Sequence, residues 1–442
     1  MRARFLLITV CCWLSFASAQ WLDTTFYVGP MPVYLCYSAR TGRIYCANVN
    51  DSSVAAIDCA TRSVVARIAL DNAPAGLCCD SAGSKLYATL PYGNDVVVID
   101  CATNTVLRSV ALGVLPRAAW YNPLANRMYV ANGGSDNVSV VDVASDSVVA
   151  TVPVGSGPIA VCHNPVTNRI YVANYNDSNV TAIDAGTNAV VTTIAVGQRP
   201  WPLCCNPQNN YCGNTGSQDV SIIDGATDSV VATVAGVSRP LALGYNPTDN
   251  RVYAAGYDSA RVTVIDGATD SSIAVVSVGR KPEGICHNRT RDLIYVANSY
   301  DDNVTVINGA SNQVLANVAV GDQPGPLCYD PIGDRVYCAN EGDSTISVLR
   351  GSAGVSDDAT PAIFRPASSV TLIRGVLHLG VDSRQQTAYR AELLDISGRK
   401  VMKLQAGAND VSRLAPGIYF VRWEPSAVSP RPSAITKVVL TK

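Results

Sequence analysis

The chain has 442 residues, of which 48% are hydrophobic and 15% charged, and its formal net charge is −2. This balance gives no broadly basic surface of the kind that nucleic-acid-binding proteins need, so we predict no nucleic-acid partner. The chain has only three histidines, which are too few for most histidine-based catalytic schemes.

Residues 1–19 are predicted to be a secretory signal peptide. Arg2 and Arg4 precede an apolar run, and Ala17-Ser18-Ala19 forms a small-residue cleavage site before Gln20. The run is too short for a permanent membrane span, and no later stretch is long and apolar enough to cross a membrane. We therefore expect an exported bacterial protein, either secreted or held at the cell surface.

Residues 20–350 consist of eight copies of one unit. Its most regular feature is a tyrosine that recurs every 42 residues, with one interval of 40 residues. The eight tyrosines are Tyr45, Tyr87, Tyr129, Tyr171, Tyr211, Tyr253, Tyr295 and Tyr337. A fixed period of this length is typical of repeat architectures, in which each unit buries its apolar surface against its neighbours.

Each unit contains four short runs rich in Val, Ile, Thr and Tyr, separated by clusters of turn-forming residues. We label them A, which starts at a proline, B, which holds the tyrosine, C, as in NVTAID, and D, as in VVTTIAVG. No window has helical periodicity, so the fold class is all-β. Because several runs are apolar at nearly every position, both sheet faces should be covered. Four-stranded sheets packed radially form a β-propeller.

The strand count predicts eight blades. Residues 25–29 match only a D strand, and residues 346–349 match only a C strand. With seven complete units between them, the chain provides enough strands for eight blades of four. The first strand would then complete the last blade and cover its edge. A seven-bladed ring with one displaced copy is the alternative, and an open solenoid would leave the partial units unexplained.

The repeats resemble a known family. The elements YVAN, NxVxVID and VVATxxVG are similar to those of the YVTN family of β-propeller repeats, found in secreted and surface proteins of bacteria and archaea. The likeness extends over residues 25–350. It implies a propeller fold. It does not imply a function, because propellers built from one repeat type have unrelated functions.

A second domain is predicted at residues 363–442, after a linker at residues 351–362. Residues 20–350 hold 19 basic and 28 acidic side chains, whereas residues 363–442 hold 12 and 5. Alternating polar and apolar residues in the second domain indicate a small β-sandwich.

The second domain also resembles a known module. Its segments LLDISGRKVMKL, LAPGIYFVRW and KVVLTK are similar to the C-terminal sorting domain of type IX secretion cargo, although the Pro-Asn-Pro that often opens such domains is absent. The resemblance implies that an outer-membrane translocon recognises residues 363–442, with removal and surface attachment to follow. The alternative is a carbohydrate-binding or spacer sandwich.

One irregularity of the repeat suggests a binding site. In three consecutive blades the residue before the strand A proline is a cation, Arg199, Arg239 or Lys281, and Trp201 and Arg280 lie beside two of these positions. We predict that they form a basic arc at one mouth of the channel. The hypothesis is that this arc binds an acidic glycan or a carboxylated small molecule, with Trp201 as a stacking surface. The alternative is a set of solvated loop charges.

Cysteine recurs four positions after the strand A proline in six blades. These residues are Cys36, Cys78, Cys162, Cys204, Cys286 and Cys328. Equivalent positions in stacked sheets lie about 10 Å apart, whereas a disulfide needs Cα atoms within roughly 7 Å, so we interpret the set as buried packing residues. Disulfides, if formed, are predicted within a blade. The candidate pairs are Cys36 with Cys46, Cys328 with Cys338, and Cys212 with Cys204 or Cys205.

No catalytic group can be assembled from the sequence. The propeller has only two glutamates, Glu283 and Glu341, and its repeated aspartates lie in turns where they would bond their own backbone. We predict no metal, no cofactor and no enzymatic activity. The expected function is a surface module for binding, adhesion or envelope structure, with a glycan or protein ligand on one propeller face. The alternative is an exported propeller enzyme, either a lactonase-like hydrolase or a cofactor-dependent dehydrogenase.

Overall fold

The computed structural model describes residues 20–80 and 82–354 and seven short segments nearer the C-terminus: 371–373, 376–379, 389–394, 399–404, 407–410, 417–425 and 434–440. The predicted signal peptide and most of the predicted linker lie outside these ranges. The chain divides into two compact units, Met1–Ser356 and Asp357–Lys442. In the described ranges, no helix could cross a membrane.

The first unit is a ring of eight four-stranded antiparallel sheets, so the prediction of an eight-bladed propeller is confirmed and the seven-bladed alternative is wrong. The A strands are β2 (Pro32–Ser38), β6 (Gly76–Cys79), β10 (Pro116–Asn122), β14 (Pro158–Asn164), β18 (Pro200–Cys205), β22 (Pro240–Asn246), β26 (Pro282–Asn288) and β30 (Pro324–Asp330). The B strands are β3 (Arg43–Asn48), β7 (Lys85–Leu90), β11 (Arg127–Asn132), β15 (Arg169–Asn174), β19 (Asn209–Asn214), β23 (Arg251–Gly256), β27 (Leu293–Asn298) and β31 (Arg335–Asn340).

The outer half of each blade contains strands C and D. The C strands are β4 (Ser53–Asp58), β8 (Asp95–Asp100), β12 (Asn137–Asp142), β16 (Asn179–Asp184), β20 (Asp219–Asp224), β24 (Arg261–Asp266), β28 (Asn303–Asn308) and β32 (Thr345–Gly354). The D strands are β1 (Gln20–Tyr27), β5 (Ser63–Ala69), β9 (Thr105–Ala111), β13 (Ser147–Pro153), β17 (Ala189–Ala195), β21 (Ser229–Ala235), β25 (Ser271–Ser277) and β29 (Val314–Ala319). We number the blades 1 to 8 by their A strands.

The core lies between the blades. Strand B is almost fully buried, while strand D exposes most of its positions. An apolar cluster fills each interface between neighbouring blades, including the interface between blades 8 and 1. The repeat therefore reads as apolar on both faces because every blade is covered on both sides.

The first strand closes the ring. Strand β1 pairs antiparallel with β32, with Thr25 opposite Ser347, and so becomes the outermost strand of blade 8. This pairing gives the last blade its fourth strand and removes the open edge of β32. The sequence-based prediction of the closure is confirmed.

Asp23 of β1 connects the closing strand to both neighbouring blades. Its carboxylate lies 2.6 Å from Nη1 of Arg62 in blade 1, and 3.0 Å and 2.9 Å from Nε of Arg335 and Nη2 of Arg350 in blade 8. The Asp23 side chain is only 6% exposed. Burial opposes its ionisation, but hydrogen bonds from the three guanidinium groups outweigh burial and lower the pKa of Asp23.

The repeated tyrosine links each blade to the next. All eight tyrosines are fully buried, and each donates its hydroxyl to the following blade. Seven donate to the C–D turn of that blade, and Tyr295 donates to Arg350 O in strand β32 of blade 8. In blade 6, for example, Tyr253 donates to Gly309 O at 3.1 Å and lies 2.9 Å from Asn312 Oδ1. The 42-residue period therefore also fixes a polar contact between blades.

We expect Tyr253→Phe to lower the free energy of unfolding by about 1 kcal/mol, because it leaves the buried acceptors of blade 7 without their donor. Urea denaturation followed by circular dichroism measures this change. Tyr92→Phe is the control, since Tyr92 is 79% exposed and should tolerate the same change. Equal stability of the two variants would contradict a role for the hydroxyl.

The second unit is also all-β in its described segments. Its strands are β33 (Thr371–Ile373), β34 (Val376–Leu379), β35 (Tyr389–Leu394), β36 (Lys400–Leu404), β37 (Gly407–Asp410), β38 (Gly417–Pro425) and β39 (Ala434–Leu440). Five of them form a sheet in the order β33-β39-β38-β35-β36, and β34 pairs with β37.

Candidate functional site

The candidate site lies at the end of the ring that carries the D–A loops and the B–C turns, which we call the upper face. The two kinds of loop are joined by backbone hydrogen bonds within each blade. Ser299 N donates to Lys281 O at 3.0 Å in blade 7, and Tyr257 N donates to Arg239 O at 3.3 Å in blade 6. Side chains from both kinds of loop therefore meet at this face.

The residue before the strand A proline has an unusual backbone conformation. In blades 5, 6 and 7, Arg199, Arg239 and Lys281 have φ angles of 51°, 49° and 53°. This left-handed region costs a non-glycine residue about 1 kcal/mol, and it is imposed by the loop, because Met31, Leu115 and Gln323 share it. The loop geometry thus fixes the direction in which the three cations leave the backbone.

Three of the five predicted binding residues come together with two tyrosines. Lys281 Nζ lies 5.4 Å from the ring centroid of Tyr257 and 5.5 Å from that of Tyr300. The guanidinium of Arg239 lies 4.9 Å from the Tyr257 ring, and that of Arg280 lies 4.0 Å from the Tyr300 ring. We call these five residues the cation–tyrosine cluster.

A cavity of about 260 Å³ opens beside the cluster. It is lined by Tyr257, Asp258, Ala260, Arg280, Lys281 and Tyr300. Asp301 accepts hydrogen bonds from Arg280, which lower the pKa of Asp301 and neutralise part of the positive charge. Within the described ranges Arg239 and Lys281 have aromatic contacts but no ion pair. Arg239 is exposed to solvent, and Lys281 lines the cavity.

Trp201 and Arg199 lie apart from this cluster. Trp201 is 43% exposed and packs edge-to-face on Tyr175, with ring centroids 6.3 Å apart. The structure places no contact between this pair and the cation–tyrosine cluster in the part of the chain that it describes. The predicted arc is therefore two groups, one in blades 4 and 5 and one in blades 6 and 7.

Sequence reasoning missed the three tyrosines. Tyr175 and Tyr257 hold the first position of their B–C turns, where the other copies have Val, Pro, Gly, Thr, Ser or Glu, and Tyr300 holds the second position of its turn. The signal was therefore an aromatic residue at a turn position. Such turns tolerate most residues, so a tyrosine there does not by itself indicate a binding site. The structure shows that the D–A loop packs beside it.

The two glutamates of the propeller are near each other at the upper face. Glu283 follows the proline of β26 in blade 7, and Glu341 begins the B–C turn of blade 8. Ser299 Oγ donates to Glu283 Oε1 at 2.7 Å. Burial raises the pKa of Glu341 to about 7, and the neighbouring carboxylate of Glu283 acts in the same direction.

Gly325 provides the space for Glu341. A Cβ atom at position 325 would lie 2.9 Å from Glu341 Oε1, closer than an ordinary van der Waals contact. A carboxyl group that titrates near neutral pH can exchange protons under physiological conditions. The pair is therefore a candidate acid–base group. No sequence motif predicts it, because the two glutamates occupy different positions of the repeat.

The cysteine pairs predicted within blades do not face each other. Cys36 lies opposite Tyr45, and Cys46 lies opposite Leu35, so the two thiols leave opposite faces of the sheet. Cys328 and Cys338 have the same offset. In blade 5 Cys212 lies opposite Leu203, which puts it on the other face from Cys204 and diagonal to Cys205. The thirteen cysteines among the described residues are all free thiols in the structure.

The repeated aspartates act as turn residues. Asp58 Oδ1, for example, accepts hydrogen bonds from Ala60 N at 3.0 Å and Thr61 N at 2.8 Å, and the bond from Thr61 is the main cause of its lowered pKa. Among the described residues, no three or more His, Cys, Asp or Glu side chains are arranged to hold a metal ion.

Comparison with known proteins supports the fold. No protein-family model matches the chain, and no curated protein sequence matches it. Among solved structures, a chain of Kuenenia stuttgartiensis hydrazine synthase has a TM-score of 0.52 at 22% identity, covering 64% of this chain and 96% of that one. The dihydro-heme d1 dehydrogenase NirN has a TM-score of 0.61 at 13% identity, covering 76% of this chain and 81% of that one.

These similarities establish a shared propeller fold. They also contradict the prediction that the chain is not an enzyme, because both neighbours are enzymes by name. That prediction depended on finding no converging acid–base residues in the sequence. The structure brings Glu283 and Glu341 together across two blades, which linear reading could not detect.

Proposed function

We propose that the chain is an exported β-propeller hydrolase that binds a small anionic substrate at its upper face. The observation that carries this proposal is the convergence of Glu283 and Glu341 in neighbouring blades, beside the cation–tyrosine cluster. Ser299 connects the two groups, since its backbone N–H donates to Lys281 O and its hydroxyl donates to Glu283. The alternative of a lactonase-like enzyme is thus favoured over a pure binding module.

The cation–tyrosine cluster would bind the substrate. Lys281 and Arg239 would attract a carboxylate or sulfate group, and the rings of Tyr257 and Tyr300 would pack against an apolar ring. Anion binding, which the sequence predicts as the main function, becomes the first step of a reaction in this proposal.

Glu341 would act as the general base. With a pKa of about 7, its carboxylate can take a proton from water as the water oxygen attacks an ester or lactone carbonyl. The C–O bond then breaks, and the alkoxide leaving group takes the proton back from Glu341. Ser299 holds Glu283 at 2.7 Å, so Glu283 would position the water or the substrate hydroxyl.

A cofactor-dependent dehydrogenase is the second candidate, and the similarity to the dihydro-heme d1 dehydrogenase favours it. In that case the cluster would receive a ring-shaped anionic cofactor rather than a substrate. Absorption spectroscopy of the protein purified from its native host distinguishes the two, since a bound tetrapyrrole absorbs visible light and a hydrolase needs none.

Export and surface display are also proposals. They depend on residues 1–19, which match a signal peptide, and on residues 363–442, which resemble a type IX sorting domain and would be recognised by an outer-membrane translocon. Membership of the YVTN family is proposed on the repeat elements. Mass spectrometry of the exported protein tests the sorting domain, since an intact C-terminus in every species would argue against cleavage.

Charge reversal tests the anion site. We expect Arg239→Glu combined with Lys281→Glu to weaken binding of carboxylated and sulfated oligosaccharides at least about tenfold, because two cations of the cation–tyrosine cluster, of which Lys281 lines the cavity, become anions. Isothermal titration at low ionic strength measures the change.

Arg199→Glu is the matched control for this experiment. It reverses one cation at the same loop position of blade 5, which is half the charge change of the double variant, and Arg199 lies outside the cation–tyrosine cluster. We expect it to change the affinity less than threefold, on the order expected for a distant surface charge. Equal losses of binding free energy per reversed charge in the two variants would show that only the overall charge of the upper face matters.

A further inference from the structure

Two pairs of cysteines meet across the interfaces between blades. Cys36 in blade 1 and Cys79 in blade 2 have their sulfur atoms 3.3 Å apart. Cys162 in blade 4 and Cys205 in blade 5 are joined by a thiol hydrogen bond, and Cys205 Sγ also lies 3.2 Å from His163 O. The members of both pairs are separated by 43 residues, so they occupy the same two positions of the repeat.

The geometry of the repeat explains these contacts. Strand A presents its fourth residue after the proline to the next blade and its fifth residue to the previous blade. Cys36 lies on the same face as Tyr45, Cys79 lies on the same face as Leu86, and all four belong to the cluster between blades 1 and 2. We predicted that cysteines of different blades are too far apart to pair, but that prediction compared equivalent repeat positions. In these two pairs the fourth residue after one proline meets the fifth residue after the next proline.

Other blades provide a comparison within the same molecule. At the fifth position after the proline, only blades 2 and 5 carry cysteine, and both follow a blade with cysteine at the fourth position. At the other four interfaces that carry a fourth-position cysteine, a tyrosine occupies the facing position, as Tyr245 does for Cys204 and Tyr37 does for Cys328. The two pairs are thus specific to two of the eight interfaces.

We propose that Cys36–Cys79 and Cys162–Cys205 form two disulfides that cross-link neighbouring blades. A sulfur separation of 3.3 Å has to shorten to about 2.05 Å, which rotation about the two Cα–Cβ bonds can supply. Disulfides persist in the oxidising compartments outside the cytosol, where the proposed export would place the protein. The proposal concerns the chain itself and does not depend on hydrolase activity.

The reaction needs a disulfide oxidant. A thiolate of the pair attacks one sulfur of the oxidant and releases the first oxidant thiol, which leaves a mixed disulfide. The second cysteine then attacks the protein sulfur and releases the second oxidant thiol. The protein loses two electrons and two protons for each cross-link, and the oxidant is reduced to two thiols. Hydrogen bonding from Cys162 lowers the pKa of Cys205, which favours Cys205 as the attacking thiolate.

Blade 2 contains a competing thiol. Cys101 forms a hydrogen bond with Cys79, and this contact lowers the pKa of Cys101. The corresponding position in blade 5 is Gly225, so the Cys162–Cys205 pair has no such competitor. A test must therefore separate a bridge to Cys36 from a bridge to Cys101.

The experiment is peptide mapping of the full-length protein after treatment with oxidised glutathione, with the remaining thiols alkylated before digestion. We expect four of the thirteen thiols to become protected and the tryptic fragment ending at Arg40 to be linked to fragment 68–85. Cys79→Ser should abolish this link alone, and Cys205→Ser should abolish the second link alone. Each cross-link should raise Tm by about 5 °C over the reduced protein.

Cys286→Ser is the matched control, because Cys286 occupies the same repeat position as Cys36 and Cys162 but is followed by Tyr329 in the next blade. It should leave both links and the Tm difference unchanged. Thirteen free thiols after oxidation, a Cys79–Cys101 bridge, or links within a blade would each overturn the proposal.

Discussion

Replacing Asp23 by asparagine is expected to lower the free energy of unfolding of the propeller by about 3–5 kcal/mol. The variant leaves Arg62, Arg335 and Arg350 without their shared carboxylate, and Arg350 is only 8% exposed on its side chain. The contact also attaches the closing strand β1 to blade 1, so its loss weakens the one junction of the ring that depends on residues distant in sequence. Differential scanning calorimetry should show Tm lower by roughly 5–10 °C.

The effect of Asp23 depends on pH with a defined sign. Because the folded-state pKa of Asp23 is lowered, its contribution is complete above the unfolded value of about 4 and is lost as pH falls through the folded pKa. The difference between wild type and Asp23→Asn should therefore be constant near neutrality and shrink in acid. Asp71→Asn, at an exposed loop position, should show neither change. A difference that persists in acid would exclude the carboxylate as its cause.

Replacing Glu341 by glutamine is expected to reduce hydrolytic turnover by at least about 100-fold, because glutamine cannot accept a proton from water. Wild-type kcat/KM should rise with pH through about 7, as Glu341 becomes deprotonated. Asp343→Asn changes a carboxylate in the same turn, whose oxygens accept hydrogen bonds from Asp322 N and Thr345 Oγ1. This control variant should show the same pH dependence of kcat/KM as the wild type.

Stability provides an independent test of the same residue. A carboxyl group with a raised folded-state pKa stabilises the protein below its unfolded pKa, and this stabilisation is lost as pH rises through the folded value of about 7. Glutamine stays uncharged at every pH, so the variant does not bury a charge at pH 8. Glu341→Gln should therefore be more stable than wild type at pH 8, on the order of 1 kcal/mol after screening by solvent. A less stable variant at that pH would contradict burial of the charge.

The fold could be predicted almost completely from the repeat. Eight tyrosines at a fixed spacing, a leading D strand and a trailing C strand determine eight blades and the closure by β1. What the repeat could not show was the closing ion cluster. Arg350 stands where six of the seven earlier copies carry an aspartate, but its partner Asp23 lies 327 residues away, before the first complete unit.

The candidate site was only partly predictable for the same reason. Lys281 and Arg239 share one repeat position, so aligning the copies reveals them together. Glu283 follows the strand A proline, whereas Glu341 begins a B–C turn, and only the packing of blades 7 and 8 brings two such different positions close. Cys36 and Cys79 are offset in the same way. Contacts between unlike positions of neighbouring copies are invisible when copies are compared position by position.

The most direct test is hydrolysis of a panel of lactones and carboxylate-bearing esters by the full-length protein, compared with Glu341→Gln across neutral pH. We expect turnover of at least one anionic member by the wild type, an increase in rate as pH rises through about 7, and loss of turnover in the variant. Absence of turnover across the panel, or equal turnover by the two proteins, would contradict this expectation.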